Sequence, residues 1–228
     1  VYFESLEDDL RGLETLRAAH ALAPEDDGVL ARLEARLRLG HADTPELAAV
    51  IERRALLQTQ PAQKAAFLTE LGALLQRAND VAGAVRALTE SLRVERDGNS
   101  TARATEALQR IATREDELGR QALDAIIEHH RAQKAWQPLV DSLEIAATKR
   151  APGEERAQLL DELSQMHEQA LRVPQLAFMA TSRALRDAPT PERLQRLQAL
   201  AEPTEGWADL LEVLEDVAED HRVVWSIQ

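Results

Sequence analysis

Helical periodicity runs along almost the whole chain and is interrupted at short intervals by Pro, Gly, Asn and Asp. Apolar residues recur at the three- and four-residue spacings that place them on one face of a helix. No segment shows the alternation of apolar and polar residues that is typical of a strand. Thr44-Pro45, Pro152-Gly153 and Thr190-Pro191 have the composition of helix starts. The pattern therefore predicts an all-α protein.

The predicted helices are similar in length, and their ends are defined to within about two to four residues. They span residues 5–22, 27–39, 45–59, 61–78, 80–95, 100–113, 115–131, 134–150, 153–172, 174–187, 190–202 and 205–220. About twelve helices joined by short turns form either a bundle or a solenoid, and internal repeats distinguish the two.

Composition narrows the class of protein. Aromatic residues make up only 3% of the 228 residues, so Leu, Ala, Val and Ile must build the core. The chain has no cysteine, which excludes disulfides and thiolate chemistry. A formal net charge of −13 repels a phosphate backbone, so we expect no nucleic-acid partner. No stretch approaches the roughly 18 apolar residues of a membrane span, and the opening lacks a signal-peptide pattern. We therefore expect a soluble, cytoplasmic protein without membrane insertion.

One segment carries a recognisable repeat. Its residues are Leu68-x2-Leu71-Gly72-x2-Leu75, followed by Ala84-x3-Leu88. This resembles the tetratricopeptide repeat, whose pattern is W-x2-L-G-x2-Y followed by A-x3-F and Pro. Leucine replaces the aromatics here, and the Pro position falls on Arg96. Gly72 and Ala84 would let two antiparallel helices approach closely, although a helical Gly costs about 1 kcal/mol relative to Ala. Gly83 matches no position of the pattern.

Two other stretches match parts of the same pattern. The spacing of a repeat's second helix is found in Gly12, Leu16, Ala19 and Pro24. A further copy contains a one-residue insertion and reads Leu160-x2-Leu163-Ser164-x2-His167, then Ala177, Ala184 and Pro189. In that copy Thr181 occupies the position of a large residue. His167 occupies an aromatic position, so we expect it to be a packing residue.

The spacing of the copies predicts the domain organisation. Two segments, AWQPLVDSLE and GWADLLEVLE, lie 71 residues apart, close to two units of 34. Leu68 and Leu160 lie 92 apart, which is not a whole number of units. We therefore predict tetratricopeptide-like repeats over 6–98, an irregular helical joint over 99–134, and repeats over 135–228 in an array truncated at its C-terminal end. Residues 1–5, VYFES, resemble the remnant of an engineered protease site.

Residues with catalytic potential form no known motif. The chain has no nucleophile elbow, phosphate loop, zinc motif or EF-hand loop, so we expect no enzyme, catalytic residue, metal or cofactor. His129 and His130 point about 100° apart on a helix, so we expect a surface or groove position for them. Trp136 and Trp207 lie on helices with regular Leu spacing and are expected in the core. The alternative is that they are exposed anchors for a partner.

The resemblance implies a groove lined by the first helix of each repeat. The groove positions implied in the clearest copy include Thr69, Ala73 and Gln76 beside Ala66, and those in the later copy include Asp161, Gln165 and Glu168 beside Gln158. Residues 197–221 contain no Lys or Arg. This acidic segment, with Glu212 and Asp216, either keeps the protein soluble or binds a basic partner.

Together these features imply a right-handed superhelical solenoid of antiparallel helix hairpins. Its expected function is that of a non-catalytic scaffold or adaptor that binds a protein or peptide through the groove or the acidic face. Homo-oligomerisation or a larger assembly would cover the apolar ends. The first alternative is a regulatory domain that senses a peptide or ligand for a larger protein, and an enzyme on an α-solenoid ranks last. The preference for Arg over Lys is compatible with a GC-rich bacterial source.

Overall fold

A computed structural model describes the backbone of residues 2–40 and 45–220 and the side chains of residues 11–40 and 45–219. These described residues form twelve α-helices and one π-helical turn, with no β-strand among them. The helices are α1 (Tyr2–Leu22), α2 (Asp27–Leu39), α3 (Pro45–Leu57), α4 (Pro61–Arg77), α5 (Val81–Val94), α6 (Asn99–Ala112), α7 (Glu117–Gln133), α8 (Trp136–Lys149), α9 (Glu154–Gln165), α10 (Pro174–Asp187), α11 (Pro191–Thr204) and α12 (Trp207–Asp220). The all-α prediction is confirmed. The side chains of the VYFES segment and the tail 221–228 lie outside the described residues.

The predicted helix ends agree with the structure to within three residues, except at the end of α9, where one helix over 153–172 was expected. A π-helical turn, Met166–Ala170, follows α9 directly. The Leu171 N–H donates to the Met166 carbonyl at 3.0 Å, five residues back along the chain. A π turn holds one residue more than an α turn. This turn lies within the stretch where the predicted repeat carries its one-residue insertion.

Aspartate side chains cap two of the helices. Asp26 Oδ1 accepts hydrogen bonds from the N–H groups of Gly28 at 2.8 Å and Val29 at 3.1 Å, where α2 begins. Asp80 Oδ1 accepts a hydrogen bond from the Gly83 N–H at 2.9 Å, where α5 begins. A Cβ at residue 83 would lie 2.9 Å from Asp80 Cγ, so a side chain there would displace the capping carboxylate. This explains the glycine that matches no repeat position.

The chain forms two compact units, residues 1–125 and 126–228, and the division falls within α7. In the first unit each helix from α1 to α6 packs against the next, and α4 also packs against α6. In the second unit α8 to α12 pack in the same order, and α10 also packs against α12. Both units therefore combine packing between sequence neighbours with packing between helices two places apart. The repeat boundaries and the joint over 99–134 stay predictions.

Aliphatic side chains from α2 to α5 form a core in the first unit. The cluster comprises Leu30, Leu33, Leu37, Leu47, Val50, Ile51, Leu71, Leu74 and Ala87. α4 and α5 approach closely at Gly72, where a Cβ would lie 2.5 Å from Leu88 Cγ. Leu88 and Ala84 are fully buried. The prediction that Gly72 permits this close approach is confirmed.

The second unit has an equivalent core built from α10, α11 and α12. The cluster comprises Ala177, Phe178, Leu185, Leu197, Leu200, Ala201, Leu210 and Val213. Gly206, just before α12, lies against the Phe178 ring, because a Cβ there would be 3.2 Å from Cζ. Phe178 is 6% exposed as a result of this packing. The last described helix along the chain, α12, thereby packs against α10.

Arginine–carboxylate pairs connect helices that lie two places apart in the chain. In the first unit these are Arg17–Glu46 and Arg38–Glu70, both at 2.5 Å. In the second unit they are Arg131–Glu162 at 2.8 Å, Arg183–Glu144 at 2.7 Å, Arg186–Asp216 at 2.8 Å and Arg193–Asp161 at 2.9 Å. Exposed pairs such as Arg17–Glu46 contribute at most about 1 kcal/mol each. Arg193 differs from the other arginines because it is buried.

Candidate partner-binding surfaces

The three predicted groove residues of the first unit differ in exposure. Thr69 is only 4% exposed. Its Oγ1 lies 2.8 Å from Ser91 Oγ, and Ser91 donates to the Ala65 carbonyl at 3.0 Å. Ala73 and Gln76 are partly exposed on α4. Thr69 therefore joins α4 to α5, and of the three only Ala73 and Gln76 reach the surface.

The predicted groove residues of the second unit lie on α9 and the π turn, and two of them bond to α11. Asp161 Oδ2 accepts a hydrogen bond from Arg193 at 2.9 Å. Glu168 Oε2 accepts one from Arg196 at 2.8 Å. Gln165 is exposed on the same stretch. Asp161 and Glu168 are therefore held in place by two arginines of α11, while the Gln165 amide faces solvent.

A surface cavity opens between the π turn and α11. Its volume is about 310 Å³, and its lining consists of Glu168, Glu192, Gln195, Arg196, Ala199 and Leu200. Glu168 was predicted as a groove residue, whereas the five residues of α11 were not. The order of the helices could have indicated these α11 residues. In a stacked array α11 would line the same groove as α9. The cavity offers two carboxylates, one guanidinium and one amide beside a small apolar floor.

Arg193 anchors α11 beside this cavity. The residue is 6% exposed and donates to Glu154 at 2.9 and 3.0 Å, to Asp161 at 2.9 Å and to the Ala188 carbonyl at 2.7 Å. The hydrogen bonds from Arg193 lower the pKa of Glu154 to about 2, so this carboxylate stays charged at neutral pH. The arginine joins α9 to α11 through charge-assisted hydrogen bonds.

The two predicted residues of the acidic face also differ. Asp216 is partly exposed and lies 2.8 Å from Arg186 Nη2 on α10, so its charge is balanced. Glu212 is exposed, and no described cation contacts it. A basic partner would therefore find an available carboxylate at Glu212 but a competing guanidinium at Asp216.

The two tryptophans of the matching segments lie in different environments. Trp136, at the start of α8, is partly buried. Trp207, at the start of α12, is 54% exposed, and Leu211 one turn later is 64% exposed. The prediction that Trp207 belongs to the core is wrong. Its position fits the alternative of an exposed anchor on an outer helix.

The histidines singled out in the sequence are buried. His129 and His130 are 7% and 9% exposed, so neither lies on the exposed surface, which was one of the two positions expected for them. His130 Nδ1 lies 3.1 Å from Ser142 Oγ. His167 is 9% exposed, as expected of a packing residue, and burial lowers the pKa of both His130 and His167. Within residues 2–40 and 45–220, no three His, Asp or Glu residues converge as metal ligands would.

Comparison with known proteins gives no assignment. No protein-family model matches the chain, and no curated protein sequence matches it significantly. Among the described helices, none has the length and apolar character needed to cross a membrane.

Proposed function

We propose that this protein is a non-catalytic scaffold that binds an extended peptide segment of a partner protein. The observation that carries the proposal is the cavity of about 310 Å³ between the π turn and α11. Its lining includes Glu168, one of the groove positions that the repeat pattern implies. The proposed architecture is a right-handed superhelical stack of antiparallel hairpins.

The packing within each unit supports this architecture. Helices two places apart are joined by ion pairs, such as Arg38–Glu70 in the first unit and Arg186–Asp216 in the second. Stacked hairpins place equivalent helices side by side in this way, since each hairpin covers the apolar face of its neighbour. The packing of a bundle around a single core does not require a regular series of ion pairs between helices two places apart.

The chemistry of the cavity favours a peptide over a compact apolar ligand. Small-molecule pockets are lined predominantly by apolar and aromatic residues, whereas four of the six residues here are polar or charged. Arg196 and Glu168 can bond to peptide carbonyl and N–H groups, while Ala199 and Leu200 contact one apolar side chain. An extended peptide presents that combination along its length.

A peptide selection tests the proposal. A displayed library of random peptides is selected against the whole chain, and the binding of the enriched peptides is measured by fluorescence anisotropy. Ala199→Arg fills the cavity, and we expect it to weaken binding at least about tenfold. Gln198→Arg introduces the same charge at the next residue of α11, outside the cavity lining, and should leave affinity within about twofold. Failure to enrich any peptide, or equal binding by both variants, would refute the groove function.

A further inference from the structure

The outer surface of α12 carries an exposed apolar stripe. Trp207 and Leu211 are 54% and 64% exposed and lie one helical turn apart. The exposed Ala218 continues the same line two turns later. Leu210 and Val213 lie on the core side of the helix and are 4% and 2% exposed. The partly buried Leu214 also packs on that core. The apolar surface of α12 thus extends beyond the part that is covered within the unit.

Comparison with α10 shows that the exposed apolar stripe of α12 lacks a covering segment among the described residues. Phe178 and Leu211 are each the fifth residue of their helix. Phe178 is buried because the chain entering α12 packs on its ring. None of the described residues covers Leu211 in the same way. The stripe is therefore built like a packing face, and its partner is missing from the described part of the chain.

Unbalanced acidic residues border this stripe. They are Glu212, Glu215 and Glu219, which lie on the solvent side of Leu211 and Ala218 and are all exposed. No described Lys or Arg pairs with any of them, in contrast to Asp216, which Arg186 neutralises. Residues 197–220 contain no Lys, Arg or His. The surface is thus apolar along its centre and negative along its outer edge.

The apolar centre and the acidic edge of this surface together indicate which kind of partner would bind it. A second copy of the chain meeting the same face would bring two rows of glutamates together, which disfavours self-association. A segment with apolar residues alone would leave the glutamates desolvated without counter-charges. We propose that the outer face of α12 binds a basic amphipathic helix of a partner protein, with its apolar side on Trp207 and Leu211 and its Lys or Arg residues opposite the glutamates. This proposal rests on the proposed partner-binding function but uses a different surface.

A designed probe provides the test. It is a labelled amphipathic peptide of about 18 residues, five helical turns, with leucines along one face and lysines on either side. A matched peptide has glutamate in place of each lysine. We expect the basic peptide to bind the whole chain with an affinity that falls as salt is raised, and the acidic peptide not to bind.

Four variants locate the binding. Trp207→Ala and Leu211→Ala should each weaken the basic peptide at least about fivefold, whereas Met179→Ala, which alters another exposed apolar residue, should not. The triple variant Glu212→Gln, Glu215→Gln, Glu219→Gln should reduce both the affinity and its salt dependence. Thermal melts of each variant check that it remains folded, which its exposed positions predict.

Three results would overturn the proposal. Equal binding of the basic and acidic peptides would exclude charge recognition, and binding unaffected by Trp207→Ala would exclude this face. Binding that appears only after removal of residues 221–228 would make the chain's own tail the occupant. Ala199→Arg, which blocks the groove, should leave the basic peptide unaffected. The two surfaces can therefore fail independently.

Discussion

Ser164 Oγ and Thr181 Oγ1 lie 2.8 Å apart in the interior of the second unit and join α9 to α10. Both residues are fully buried. In the predicted repeat alignment they correspond to Gly72 and Leu88 of the first unit, where the two residues are in close contact. A very small residue facing a large one is therefore replaced by two hydroxyl residues of intermediate size. The match to the repeat pattern is weakest at this contact, and there the residues on α9 and α10 both differ from the pattern in a complementary way.

This relationship predicts energetic coupling between Ser164 and Thr181. Thr181→Leu overfills the contact. Ser164→Gly leaves a void and removes the hydroxyl that bonds to Thr181 and Arg196, so each substitution should cost about 1–3 kcal/mol. The double variant recreates the Gly–Leu pair and should cost less than the sum of the two. Urea unfolding of the four proteins measures the free energies. Strict additivity would show that the two contacts are not equivalent.

Glycine at position 72 should be required by packing. Gly72→Ala places a methyl group against Leu88, so we expect a loss of about 1–3 kcal/mol in the free energy of unfolding. Gly12→Ala is the matched control, because a Cβ at residue 12 meets nothing within 4 Å. That substitution should instead stabilise α1 by up to about 1 kcal/mol. Thermal melts of both variants decide the matter, and a gain in stability from Gly72→Ala would contradict the structure.

The buried arginine of α11 should contribute far more than its exposed counterparts. Arg193→Met removes four hydrogen bonds and leaves Asp161 without its cation, so we expect a loss of about 3 kcal/mol. Arg186→Met breaks only the pair with Asp216 between two half-exposed side chains, and should cost no more than about 1 kcal/mol. Chemical denaturation compares the two variants. Equal losses would mean that Arg193 has no special role in joining α9 to α11.

Mild acid should weaken the fold through its buried histidines. Burial lowers the folded-state pKa of His130 and His167 below the ordinary value of 6.5, so on acidification the unfolded chain binds protons first. The free energy of unfolding should therefore fall as the pH drops from about 7 to 5.5, above the range in which carboxylates titrate. His167→Leu places in this repeat the residue found at Leu75 and should flatten the profile. Parallel profiles for wild type and variant, from urea unfolding at several pH values, would remove His167 from this account.

Local pattern was sufficient to predict the helices. Their ends follow from breakers and caps such as Asp80 and Thr190-Pro191, which act within a few residues and can be read directly. The burial of Leu71 and Leu88 also follows from periodicity and repeat position. The π turn over Met166–Ala170 was not predicted, although the one-residue insertion in the repeat was its visible signal.

The candidate sites depended on contacts between segments distant in the chain. Thr69 has the spacing of a groove residue, but the Ser91 hydroxyl on the next helix draws its side chain inward. Trp207 and Trp136 start similar segments, yet only Trp207 lies on an outer helix with an uncovered face.

Sequence alone therefore determined the class, the number of helices and the close approach at Gly72, because these depend on periodicity and residue size. Only the tertiary structure decided which polar and aromatic residues reach the surface, because exposure depends on which helix covers which face. Arg193 became a buried anchor and Leu211 an exposed apolar residue for that reason, and no local pattern distinguishes either from its neighbours.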